Sequence, residues 1–170
     1  MTLAKIATVV AVACGLLLAA GWPPATAQEI PAHFQPFAFL VGGAWVGTFP
    51  DGKTTDEHRF VWVYDGQFIR DVHVVKGDGE PYHGESIYAW DAKNKKVIFW
   101  YWASSGGFST GSFEVDGNKL QAREDYTGEQ EMEMRSTWEK ISDNQFDAHQ
   151  YKLEDGKWEK IWTISYFRQE

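Results

Sequence analysis

From residue 42 onward the apolar and polar positions alternate with a period of two, as in Met132-Glu-Met134-Arg-Ser136-Thr-Trp138, and turn signals interrupt them at short intervals. That period sends successive side chains to opposite faces of a strand. Ten segments carry it: 44–50, 54–64, 67–76, 84–91, 96–103, 107–115, 119–127, 131–141, 145–153 and 157–168. Between them stand Asp51-Gly52, Asp65-Gly66, Asp116-Gly117 and Asp155-Gly156, the pairs that tight hairpins favour, and the polar loops Lys93-Asn94-Lys95 and Ser142-Asp143-Asn144. Short connections make sequential neighbours antiparallel. A meander of this many strands either closes or leaves two edges bare, so the expected fold is all-β: a closed or nearly closed antiparallel up-and-down barrel of ten strands. The crowded apolar lead-in from Pro31 to Val41, with Pro36 in its middle, predicts a short helical plug over one end. Gly42-Gly43-Ala44-Trp45-Val46-Gly47 opens the first strand, where glycines let neighbouring backbone come close and the indole fills the volume they leave.

Residues 1–27 have a different pattern: a short basic start ending at Lys5, an apolar run from Ile6 to Ala20, and small residues at Ala25 and Ala27. This is the layout of a cleaved secretory signal, with cleavage expected between Ala27 and Gln28 and a periplasmic or secreted destination for residues 28–170. The run is interrupted by Gly15 and ends at Gly21-Trp-Pro-Pro, too short for a membrane span. One domain accounts for the remainder.

Removing the signal removes Lys5 and no acid, which leaves 15 basic against 24 acidic residues. Such a surface repels nucleic acid and anionic membrane. The single cysteine, Cys14, lies in the signal, so no disulfide staples the domain and its aromatic residues must supply the core. The sequence contains no phosphate-binding glycine loop, nucleophile elbow or cysteine pair of metal-ligand spacing.

The Asp65-Gly66 turn fixes a register. A two-residue turn, or a four-residue loop with the same ends, makes paired numbers sum to 131, so His58 faces His73. Asp56, His58, Phe60, Trp62, Ile69, Asp71 and His73 then share one face, and Val61, Val63, Phe68, Arg70, Val72 and Val74 share the other. The aliphatic content of the second face favours it as the interior. Asp56, His58, Asp71 and His73 are then outward surface residues; two further readings of the four are a divalent metal site and a pH-sensitive imidazole pair. Arg70, inward between Phe68 and Val72, needs anionic company, and Glu85 is the candidate. It serves either a structural ion pair or a ligand carboxylate.

Gly43-Ala-Trp45 on the first strand and Tyr166-Phe-Arg168 closing the last resemble the calycin superfamily, in which such an Arg packs across the Trp at the closed end of the barrel. The middle of the chain, Tyr82-His-Gly-Glu85-Ser-Ile-Tyr-Ala-Trp90 and Gly111-Ser-Phe-Glu-Val-Asp-Gly117, is similar to nitrobindin-type barrels and, more closely, to secreted bacterial lipocalin-like proteins. The resemblance implies Gly43, Trp45 and Arg168 as structural signature residues. It also implies haem held by a late-strand His, but Lys157 to Arg168 contains none, so no cofactor is expected.

These patterns predict an exported barrel that binds a small hydrophobic or amphipathic molecule through Arg70, Glu85, Phe68, Tyr101, Met132, Met134, Trp162 and Tyr166. Two alternatives stand beside it: a cavity enzyme of isomerase, lyase or cyclase type using an Arg anchor and a Tyr, Glu or His as acid–base group, and a barrel filled solid.

Overall fold

The computed structural model describes residues 29–127 and 132–169, so the expected signal segment lies outside the described residues. Ten strands form one closed antiparallel barrel in which each strand pairs with the next and the first pairs with the last. They are β1 (Ala44–Thr48), β2 (Thr55–Val63), β3 (Phe68–Lys76), β4 (Tyr82–Asp91), β5 (Lys96–Ala103), β6 (Phe108–Asp116), β7 (Lys119–Thr127), β8 (Met132–Ser142), β9 (Gln145–Glu154) and β10 (Lys157–Gln169). Closure gives every edge a partner, which is how an exposed ladder of backbone groups is avoided.

The lead-in forms a 3₁₀ helix, Ala32–Leu40, across the end of the barrel where the 64–67 and 92–95 turns lie. Its three-residue period puts Phe34, Phe37 and Leu40 on one side, and all three are fully buried. Phe34 meets Trp62 edge-on and Phe37 meets Phe113 in the same way. Pro36, which has no N–H to give, sits inside the helix.

The same end holds the seam. Trp45 pairs with Arg168 across β1 and β10, and the guanidinium lies 4.3 Å above the indole. The indole N–H donates to the Leu40 carbonyl at 2.7 Å, while Arg168 donates to the carbonyls of Phe39, Val41 and Gly42. Plug, first strand and last strand are thus pinned through one Trp–Arg stack.

The β2–β3 hairpin has the expected register, with His58 opposite His73 and Val63 opposite Phe68. Its turn is the four-residue form, Tyr64 to Gln67, closed by a bond from the Gln67 N–H to the Tyr64 carbonyl at 3.2 Å. The expected faces are reversed. Asp56, Phe60, Ile69 and Asp71 are buried inside, while Arg70 is exposed on the outside with Val61. The valines misled because β-branched residues suit strands whether or not the face they occupy is buried.

Candidate functional site

The barrel encloses a cavity of about 410 Å³. Aromatic rings from Phe99, Phe113, Trp138 and Phe146 line it, and the apolar wall continues through Met132, Met134 and Trp162. Tyr82, Tyr126 and Met132 stand at the strand ends away from the plug.

One wall is polar, and the two carboxylates of the hairpin organise it. His58 lies between them, its Nδ1 3.0 Å from the Asp71 carboxylate and its Nε2 3.1 Å from Asp56 Oδ2. Carboxylates only accept, so two satisfied contacts require both ring nitrogens to carry protons, and His58 is an imidazolium. Burial works against that charge, but Asp71 and Asp56 outweigh it and push the imidazole pKa up to about 10. Burial likewise opposes ionisation of Asp56, yet His58 and His73 hold its carboxyl well below the ordinary range. Tyr166 donates to Asp56 at 2.9 Å and Tyr88 to Asp71 at 3.2 Å. Burial and the adjacent carboxylates push both phenols upward, so each stays a neutral donor.

A chain runs from this core toward the mouth. His73 Nδ1 is 3.0 Å from Asp56 Oδ1, its Nε2 is 3.1 Å from the Tyr101 hydroxyl, and that hydroxyl is 2.5 Å from the Tyr82 hydroxyl. Burial, then the contact with Tyr82, raises the Tyr101 phenol, so the chain joins neutral hydroxyls to an imidazole oriented by a carboxylate. Two glycines make room for these contacts. A Cβ on Gly84 would fall 2.1 Å from His73 Nε2 and 2.5 Å from Tyr101, so Tyr101 reaches His73 by lying across bare backbone. On the other side Gly47 stands between Tyr166 and Asp56 in the strand register, and a Cβ there would lie 2.9 Å from the Tyr166 ring. In both places a missing side chain lets a tyrosine span one strand and bond to the strand beyond.

Asp56, His58 and His73 each present a ligand atom within 4.8 Å of the others, a donor set suited to a divalent ion. An ion there would have to displace ring protons already bonded to carboxylate. Haem does not fit these residues: both ring nitrogens of His58 and His73 are engaged, and His149 bonds to Thr163 on an exposed part of β9 and β10.

The expected ligand-binding residues separate into two groups. Tyr101, Met132, Met134, Trp162 and Tyr166 line the cavity. Arg70 and Glu85 form the expected ion pair, at 2.8 Å, but on the outer surface with side chains 45% and 40% exposed. Phe68 shares their face and packs against Tyr64. The two groups cannot share a face, because Arg70 pairs with Ile87 and Ile87 with Trp100, whereas Tyr101 follows Asp71 and Ser86. Asp56, His58, Asp71 and His73, expected outside, form the polar wall, because hydrogen bonding and charge pairing offset the cost of burying them. Sequence reasoning did not single out Tyr82, Tyr88, Glu124 or Trp138, although carrying the paired-number argument from hairpin to hairpin around the barrel places all four inside with His58.

Fold and site together define a closed ten-stranded antiparallel barrel with a buried charged cluster on one wall of an aromatic cavity. Residues 42–168 match the family described as Protein of unknown function (DUF1579), and the chain belongs to that family. The matched span begins at the Gly42-Gly43 corner and ends at Arg168, the two sides of the seam. No curated protein matches the chain. Among solved structures it is similar to Rv2717c from M. tuberculosis, with a TM-score of 0.58 and 14% identity over 84% of this chain and 100% of the other. At that identity the likeness shows the fold.

Proposed function

We propose that this protein binds a small amphipathic molecule inside the barrel, its apolar body against Met134, Trp138 and Trp162 and its polar group toward the mouth. The cavity of about 410 Å³ supports this reading: it combines extensive aromatic lining with a few convergent polar groups, the usual make-up of a ligand site. The Trp45–Arg168 stack supports a calycin-type relationship, and the pattern of residues 1–27 supports export with the barrel released outside the cytoplasm.

The test is a titration with N-phenyl-1-naphthylamine, an uncharged fluorophore, excited by energy transfer from the cavity tryptophans. Saturable one-to-one binding that disappears in Met134→Trp, which fills the cavity, is the expected result. Equal binding by the filled variant would put the probe on the outer surface and end the proposal.

A second reading, an enzyme that moves a proton within a bound molecule, draws on the chain from Tyr82 through Tyr101 and His73 to Asp56. Native mass spectrometry of protein taken from its own compartment separates the two. A carrier returns its co-purified molecule unchanged after incubation, and an isomerase, lyase or cyclase returns it altered.

A further inference from the structure

The polar wall of β2 and β3 is satisfied by its own hydrogen bonds, but a carboxyl on β7 is not. Glu124 lines the same cavity, and its Oε1 accepts a bond from the Ser109 hydroxyl at 2.7 Å. Among the described residues no other side chain donates to it. Burial pushes this carboxyl above the ordinary range, with Ser109 pulling the other way.

The charge inventory of the cavity points in one direction. Its lining contains the carboxyls of Asp56, Asp71 and Glu124 and the imidazoles of His58 and His73, but no lysine or arginine among the described residues. The imidazolium of His58 is shared between Asp56 and Asp71, so it is already spent on two carboxylates before Glu124 is counted. A permanent anion entering the cavity meets only the His58 imidazolium, whose two N–H groups are already given to Asp71 and Asp56. A cation meets a carboxyl with a free oxygen and the aromatic faces of Phe99, Tyr126 and Trp138, which attract positive charge.

We propose that Glu124 is the anchor for a protonated amine, which makes the ligand a small cationic amphiphile whose ammonium pairs with the free carboxyl oxygen. This rests on the cavity reading above and adds the sign of the head-group charge to it. Pairing requires the carboxylate, so binding strengthens as pH rises through the titration of Glu124 and releases a proton wherever that carboxyl is still protonated. The charged and titratable groups facing it are few. His73 on β3 favours its ionisation, and Asp125, its neighbour on β7, opposes it. Tyr82 and Tyr88 on β4 and Tyr101 on β5 sense its charge. The residues paired with it on β6 and β8 are Gly111 and Met134, which do not titrate.

The experiment compares 2-phenylethylamine, 2-phenylethanol and phenylacetate by calorimetry in two buffers of different ionisation heat, on the wild type and on Glu124→Gln. The amide keeps the shape of the side chain and its bond to Ser109 while removing the charge. The wild type is expected to bind the amine at least about tenfold more tightly than the alcohol, with proton release that grows as pH is lowered toward the titration of Glu124, and to bind phenylacetate least. Glu124→Gln should lose that preference and the proton release, with alcohol binding changed less than about twofold and an unaltered melting temperature. Undiminished amine binding by Glu124→Gln, or preference for phenylacetate, would overturn the assignment. If none of the three binds, the assignment also fails; saturable N-phenyl-1-naphthylamine binding then leaves the cavity reading standing, and its absence removes both.

Discussion

The β2–β3 hairpin carries two charged clusters back to back, and they differ in kind. Outside, Arg70 holds both oxygens of Glu85 in a bidentate pair at 2.8 and 2.9 Å, and Arg59 gives two N–H groups to a single oxygen of Glu57. Inside, the His58 and His73 side chains are only 12% and 13% exposed and are tied to two buried aspartates. By geometry alone the outer pairs are the stronger, with the Arg70 fork matched to both oxygens of its carboxylate. Solvent reverses the order. Water competes for every exposed charge, so surface pairs contribute little, whereas removing one member of a buried network leaves the others without compensation.

Four substitutions, one pH titration and one haem reconstitution sharpen or break that contrast. The largest effect is expected from His58→Leu, which strands two buried carboxylates and should cost about 3–5 kcal/mol in chemical denaturation. A loss under about 1 kcal/mol would mean that water already reaches the inner cluster. Next is the pH dependence of the wild type. The pKa of His58 is raised from 6.5 to about 10, so its stabilisation is complete below the unfolded value and lost as pH rises through the folded one. That of Asp56 is lowered from 3.8, so its contribution is present above that value and lost as pH falls. Stability should therefore peak in the mildly acidic range and fall by a few kcal/mol toward alkaline pH, and His58→Gln should flatten the alkaline limb. An alkaline limb unchanged in His58→Gln would assign the loss to another group.

Gly84→Ala comes third. The new Cβ enters the space held by His73 and Tyr101, for a cost of about 1–3 kcal/mol, and it parts that hydrogen bond without removing either partner. Arg70→Leu should shift stability by less than about 1 kcal/mol and leave fluorophore binding unchanged. A large loss of binding there would return the outer pair to the site. Last, protein reconstituted with haem and desalted should keep no Soret absorbance, since no cavity imidazole has a free ring nitrogen; a surviving band would mean that the inner hydrogen bonds yield to iron.

The sequence made the strand count, the order, the closure and even the His58–His73 register legible, because turns and alternation are local signals. It did not show which face of the hairpin turns inward. Val61, Val63, Val72 and Val74 argued for one side by their apolar character, while Phe60, Trp62 and Ile69 argued for the other and were outweighed. The ambiguity is physical: a cavity wall mixes charge with aromatic rings, and the outside of a barrel tolerates valine and tryptophan, as Trp100 and Trp102 show by their exposure. Bulges blur alternation further. The register shifts between Lys160 and Trp162, so Trp158 lies outside under the Arg135 guanidinium while Trp162 faces in. Glu124 left no local signature, because its role depends on Ser109 and on the absence of lysine and arginine from the cavity lining among the described residues.

The Trp45–Arg168 seam governs how the chain reaches this shape in time. Nine of the ten strand pairings join neighbours in sequence and form as hairpins. The pairing of β1 with β10 joins the two ends of the barrel sequence, Trp45 to Arg168 and Gly47 to Tyr166, and its loop-closure entropy is met only once. Until that step both outer strands offer unpaired edges to other chains. Folding at high concentration is therefore a race between closure and aggregation, and a chain shortened before Arg168 loses the step that ends it.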